Sequence, residues 1–123
     1  SSYAWKDYKE LGIHHPFGTD CPVESFNPFF GIYCAVTRKG LHGNGPYLPE
    51  QAMSVEDAVY AYTAEGAYAS GHEHVKGKIR AGMLADFAVL DRDLFHVSPE
   101  EIKDVKVVRT YVGGECVFVR QAI

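Results

Sequence analysis

The sequence predicts an α/β chain, and three observations carry that expectation. A helix end, a glycine and a short apolar run occupy the first 17 residues; two helical patterns with good start signals follow; and the last third reads as strands joined by a Gly-Gly turn. The 123 residues are enough for one ordinary domain with a respectable core. With 46% hydrophobic and 23% charged residues and a net charge of -4, the composition is that of a globular protein. A mildly acidic chain lacks the basic footprint that phosphate binding needs, so nucleic acid is excluded as a partner.

Taken in order, Ala4, Tyr8 and Leu11 lie four and three apart and stop at Gly12, the last turns of a helix. Residues 13–17 then form a short apolar strand that opens into the polar loop GTDCPVE. In the next stretch Asn27 can cap a helix with Pro28 at its first position, and Phe29, Ile32, Tyr33 and Val36 share one face up to about Arg38. Residues 40–50, rich in Gly and Pro, are a loop. Ser54 and Asp57 resemble a capping box for a single helix over residues 55–68. After Gly71 the character turns extended. Residues 87–90 read as a strand covered on both faces, and Ser98, Pro99 and Glu101 start a short helix. Residues 105–112 and 115–119 form a hairpin in which Val112 faces Glu115, Tyr111 faces Cys116 and Arg109 faces Phe118. One face then carries Val108, Thr110, Val112, Val117 and Val119.

Three cysteines, Cys21, Cys34 and Cys116, without a CxxC pair point to free thiols and a reducing cytoplasm. No apolar run approaches the roughly 20 residues of a membrane span, so no membrane partner is expected. The chain opens without Met, as a processed product or an excised piece would.

Four groups of residues could carry chemistry. Asp20 follows a strand of the kind whose carboxyl end collects active-site groups in parallel α/β folds, where a carboxylate can move a proton or ligate a metal. On spacing alone, Asp after Gly-Thr reads first as a turn former. His72-Glu73-His74 would share a metal if it lay on a strand, but it follows a helix and a glycine, and a solvated loop is its simpler reading. His14 and His15, adjacent on an expected strand, should face opposite sides and so not line one site. Cys21 lacks a neighbouring base. The GNGP of residues 43–46 lacks the strand and lysine of a phosphate loop.

Taken together and in order, GTDCPV, NPFFGIYCAVTR, LPEQAMSVEDAVYAYTAEGAYA, GKIRAGMLADFAVLD and VVRTYVGGECVF resemble the carboxyl-terminal end of metal-dependent amidohydrolases, the amidohydrolase-3 group. The resemblance runs from about Trp5 to Phe118. It implies the last βα portion of a (β/α)8 barrel in residues 1–71, with residues 13–17 as the eighth strand, and carboxyl-terminal strands of an adjoining β-sandwich in residues 72–123. It implies further that Asp20 takes a proton from a metal-bound water, delivers it to the leaving amine and touches the metal. The implied cofactor is a divalent metal, zinc by expectation, whose other ligands belong to strands this chain lacks; the isolated fragment should therefore be metal-free and silent.

The reaction class implied is hydrolysis of a non-peptide C–N bond in a small amide, cyclic amide or formamide. The partners would be that substrate and the remainder of the barrel, with a homodimer through exposed strands or helices as a further expectation. Residues from about Ala52 onward are expected to form the stable core. Two other classes remain open: a stand-alone binding or regulatory module derived from the sandwich, and a small metal protein using His72, His74 and another histidine.

Overall fold

A computed structural model describes residues 2–121. Four α-helices, α1 (Trp5–Glu10), α2 (Pro28–Thr37), α3 (Val55–Tyr62) and α4 (Ala64–Ala69), precede a three-stranded antiparallel sheet, β1 (Phe87–Leu90), β2 (Val107–Val112) and β3 (Glu115–Val119), in spatial order β1-β2-β3. Short 3-10 turns cover Pro49–Gln51 and Pro99–Asp104. The mixture of helices and a small sheet agrees with an α/β architecture.

The helix starts follow the sequence signals. Asn27 Oδ1 accepts from the Phe29 N–H (3.1 Å) and Pro28 occupies the first helical position, where it loses no bond. Ser54 Oγ accepts from the Asp57 N–H (3.1 Å). Asp57 does not complete that capping box; its carboxylate takes the Lys9 ammonium at 2.6 Å instead. Glu101 does complete the next one, its Oε2 accepting from the Ser98 N–H (3.2 Å) and hydroxyl (2.7 Å). A cap from far along the chain holds α1. The Gln51 carbonyl accepts from the N–H groups of Lys6 and Asp7 (3.1 and 3.2 Å), while its amide donates to Asp7 Oδ1 at 2.8 Å.

The expected single helix over residues 55–68 is two. Thr63 leaves helical dihedrals (φ -116°, ψ -78°), and its hydroxyl donates to the Val59 carbonyl at 2.7 Å, the kind of side-chain back-bond that bends a helix. The expected strand at residues 13–17 is extended but belongs to no ladder among the described residues. Its Phe17 N–H donates to the Ala61 carbonyl (3.0 Å), and the Phe17 ring lies between Trp5 and Tyr62 at centroid distances of 5.0 and 5.6 Å. β1 is an edge strand with Ala88 and Val89 exposed, so it lacks the cover on both faces that its apolar run suggested.

The hairpin keeps the predicted Val112–Glu115 and Tyr111–Cys116 pairs. A bulge between Thr110 and Tyr111 then moves Phe118 opposite Thr110 and Val119 opposite Arg109. Val117 is thereby displaced from the expected apolar face, and Val119 shares the side of Arg109 instead. Phe87 stacks on Tyr111 (4.7 Å, 18°) across β1 and β2, on the side away from Thr110.

The core does not start at Ala52. Phe29, Ile32, Tyr33 and Ala35 of α2 form one buried cluster with Met53, Ala58, Leu94, Ile102 and Val105, so residues from both sides of Gly71 share it. Burial of apolar area drives this choice, and α2 has more of it to offer than any other helix. α2 packs on the Pro99–Asp104 turn, where Tyr33 donates to Glu100 Oε2 (3.2 Å) and Lys39 Nζ meets Glu100 Oε1 at 2.6 Å. On its other side α2 meets α3 at Gly31, where a Cβ would collide with the Tyr62 hydroxyl.

Two outcomes follow for stability. Gly31→Ala should destabilise the fold by about 1–3 kcal/mol in chemical denaturation, and Tyr62→Phe should recover part of that loss by removing the struck oxygen. The Lys39–Glu100 pair adds a pH dependence: the hydrogen bond from Lys39 holds the Glu100 carboxyl below its ordinary value, and the same bond holds the Lys39 ammonium above its own. Glu100 therefore contributes above about pH 4.3 and loses its share as pH falls through the lower folded value; Lys39 contributes below about pH 10.4 and loses its share above it. Thermal melts of Glu100→Gln should fall below the parent at about pH 7 and converge with it in strong acid, and salt should shrink the gap because both groups are exposed.

Candidate active-site loop

Asp20 sits where the extended residues 13–17 end. It adopts left-handed dihedrals (φ 52°), a region that Asp enters more readily than branched residues do, and its carbonyl accepts from the Val23 N–H at 2.8 Å. That bond closes a turn with a cis Cys21–Pro22 peptide inside it. The turn needs only the backbone of Asp20. Its carboxylate is exposed, and among the described residues it accepts no hydrogen bond and joins no ion pair. The side chain is thus free of the local role that would explain a turn-forming Asp. Val23 and Phe26 beside it stand 75% and 81% exposed, so an acidic group and an apolar lip share one loop.

The other sequence candidates divide. His72 Nδ1 lies 3.1 Å from the Ser70 hydroxyl, and His74 turns outward, its Nε2 3.3 Å from Glu73 Oε1; the triplet is on a turn, where neighbouring side chains do not align on one face. Among the described residues no three His, Cys, Asp or Glu converge to hold a metal. Cys21 is exposed beside Asp20, and no histidine or lysine among the described residues is bonded to it. The Cys34 thiol is held above its ordinary value by burial and by the charge of Glu24, which makes it a poor nucleophile.

His14 and His15, expected to line no common site, border one cavity without sharing a partner. The cavity, of about 390 Å³, is lined also by Lys9, Ile13, Asp57 and Glu65. Their rings reach different neighbours, His14 towards α4 and His15 towards Tyr8 and Phe17. His14 Nδ1 is 2.9 Å from Glu65 Oε2, and its ring stacks on Tyr68 at 3.8 Å and 18°. His15 Nδ1 lies 2.8 Å from the Ile13 carbonyl.

Sequence reasoning missed the His14–Glu65 pair because 51 residues separate its members. One signal was available. Ala61, Ala64, Glu65 and Tyr68 follow helical spacing, and an acid among the apolar positions of a helix asks for a partner.

The chain belongs to the amidohydrolase family, in its amidohydrolase-3 branch: the family's sequence profile matches residues 1–118. It is 35% identical over 120 residues to YtcJ of Bacillus subtilis (strain 168), which carries the amidohydrolase name, covering 96% of this chain and 23% of that one. It is 33% identical over 105 residues to the N-substituted formamide deformylase of Arthrobacter pascens, covering 85% and 19%. It is 32% identical over 101 residues to the protein LONG AFTER FAR-RED 3 of Arabidopsis thaliana, covering 82% and 17%. The chain therefore spans about a fifth of the length of these relatives. No solved structure matches it at comparable stringency. No helix among the described residues is long and apolar enough to cross a membrane.

The dihedrals of Asp20 separate its backbone role from its chemistry. Asp20→Asn should leave the denaturation midpoint unchanged, since Asn enters left-handed space as readily. Asp20→Val should cost about 1–2 kcal/mol, because a branched Cβ crowds the carbonyl there. Equal stability of the two variants would show that the turn does not hold this conformation.

Proposed function

We propose that this chain is the carboxyl-terminal stretch of a metal-dependent hydrolase of non-peptide C–N bonds, in which Asp20 carries the proton between the attacking water and the leaving nitrogen. In this reading residues 1–71 end a (β/α)8 barrel with residues 13–17 as its last strand, and residues 72–123 are strands of the adjoining sandwich; residues 1, 122 and 123 of those ranges lie outside the described ones. The observation that carries the reading is the Asp20 carboxylate: exposed, unpaired among the described residues, and held at the end of an extended run in a chain of the amidohydrolase family. The deformylase named among the relatives supports a small N-substituted formamide or a related amide as substrate.

The chemistry asked of Asp20 is ordinary for a carboxylate. As water adds to the carbonyl carbon, Asp20 accepts one of its protons; as the C–N bond breaks, it returns that proton to the nitrogen. The products are an acid and an amine, and Asp20 ends as it began. The residues of this chain do not by themselves fit a metal, since Asp20 offers one donor and no cluster of three ligating side chains stands among the described residues. The divalent ion of this reading, zinc by expectation, would take its other ligands from outside this stretch, and the stretch alone would be inactive.

The test uses the full-length polypeptide, loaded with metal and supplied with N-alkylformamides and N-acylamines, with amine release as the readout. Asp20→Asn should lower kcat by about 10²–10⁴-fold with metal content unchanged. Turnover retained at intact metal content would remove Asp20 from the reaction.

A further inference from the structure

The Asp20 turn is attached to the rest of the fold by very little. Among the described residues, residues 13–17 have no ladder neighbour. Their backbone is held by the Phe17 N–H on the Ala61 carbonyl (3.0 Å) and, at the other end, by the Ile13 N–H on the Tyr8 carbonyl (2.8 Å). Beyond Phe17 come Gly18, which has no side chain to pack, Thr19 and Asp20. Phe17 alone would let the segment swing about its bond to Ala61. The Ile13 bond reaches back only five residues, to α1, and His14 supplies the tie that joins the segment's upstream end to α4.

Its partner is built for the purpose. Glu65 is 8% exposed, although it is an acid on a short helix, and that burial is tolerable only with a donor in reach. The group in reach is His14 Nδ1 at 2.9 Å, which donates to the carboxylate in the tautomer that has its proton on Nδ1. The His14 ring is braced from one face by Tyr68. α4 is itself fixed from behind, where Gly77 passes so close to Ala67 and the Thr63 carbonyl that a Cβ would clash, and where the His72 N–H donates to the Ala67 carbonyl at 2.8 Å. The pair therefore ties a loose segment to a firm one, six residues before Asp20.

We infer that His14 and Glu65 are positioning residues for Asp20: their hydrogen bond, with Phe17 as the second anchor, fixes the line of residues 13–17 and hence the aim of the carboxylate. This role rests on the acid–base reading of Asp20 and adds to it a residue pair that touches neither substrate nor metal. Misplacing a catalytic group by about 1 Å costs up to about a hundredfold in rate, so a lost anchor shows in kcat before it shows in binding.

Two measurements test the role. In amide hydrogen exchange, Glu65→Leu should speed exchange at the Phe17 amide about tenfold while amides of α2 keep their rates, and Glu65→Gln, whose carbonyl still accepts from Nδ1–H, should restore the parent rate. An unchanged Phe17 rate in Glu65→Leu would overturn the anchor. In the metal-loaded full-length polypeptide with an N-alkylformamide, Glu65→Leu should lower kcat by between about tenfold and a hundredfold with KM unchanged, and Glu65→Gln should recover it.

The double variant Asp20→Asn/Glu65→Leu should be no slower than Asp20→Asn alone, because a positioning effect vanishes with the group it positions. A full additional loss in that background would place the effect elsewhere and overturn the role. Undiminished turnover of Asp20→Asn itself would instead sink the acid–base reading, and the positioning role with it.

Discussion

Everything else in the structure depends on α2 lying against the Pro99–Asp104 turn on one side and against α3 on the other. Ile102 and Ala58 are wholly buried in that contact, and Phe29, Ile32 and Tyr33 are nearly so. The approach of α2 to α3 is possible because Gly31 leaves room for the Tyr62 ring, and a glycine in mid-helix is tolerated for that closeness despite its cost in propensity. Once α2 and α3 are fixed, Tyr62 and Ala61 are in place to receive Phe17, and Phe17 brings the start of the Asp20 turn with it.

A gradient of constraint runs along this path. The helices are held by dense apolar packing, the extended residues 13–17 by a few polar contacts and one aromatic slot, and the Asp20 side chain by nothing among the described residues. Such an ordering suits a group that must meet something from outside. Packing fixes the base, and the working end keeps its hydrogen-bonding capacity unspent. The exposed Val23 and Phe26 belong to the same picture, since apolar area left uncovered beside a free carboxylate is costly unless another surface closes over it.

Features with a local cause were readable in the sequence. The Asn27 and Ser54 caps, the Ser98–Glu101 box and the Gly-Gly hairpin each need only residues within a few positions of one another, and the structure has them all. Expectations failed where the deciding partner was distant or absent. The break at Thr63 came from a hydroxyl choosing the Val59 carbonyl over solvent, and the hairpin slipped at a bulge that no turn residue signals. Residues 13–17 are a different case: they are extended with no ladder partner among the described residues, as a strand whose expected neighbours lie outside this chain would be. Asp20 was visible as a candidate but not as a free carboxylate, since freedom from partners is a property of the folded surroundings.

By itself the sequence determined the helix starts, the hairpin turn and the membership in the amidohydrolase family, because each rests on nearest neighbours in the chain or on an ordered run of short motifs. Only the tertiary structure decided that α2 is the centre of the core, that Gln51 caps α1 and that His14 meets Glu65. The physical reason is the same in each case: these contacts join groups far apart in the chain, 45 residues for the Gln51 cap, 51 for His14–Glu65 and 67 for Tyr33–Glu100, and they are selected by the shape and burial of the folded chain, which no local pattern records.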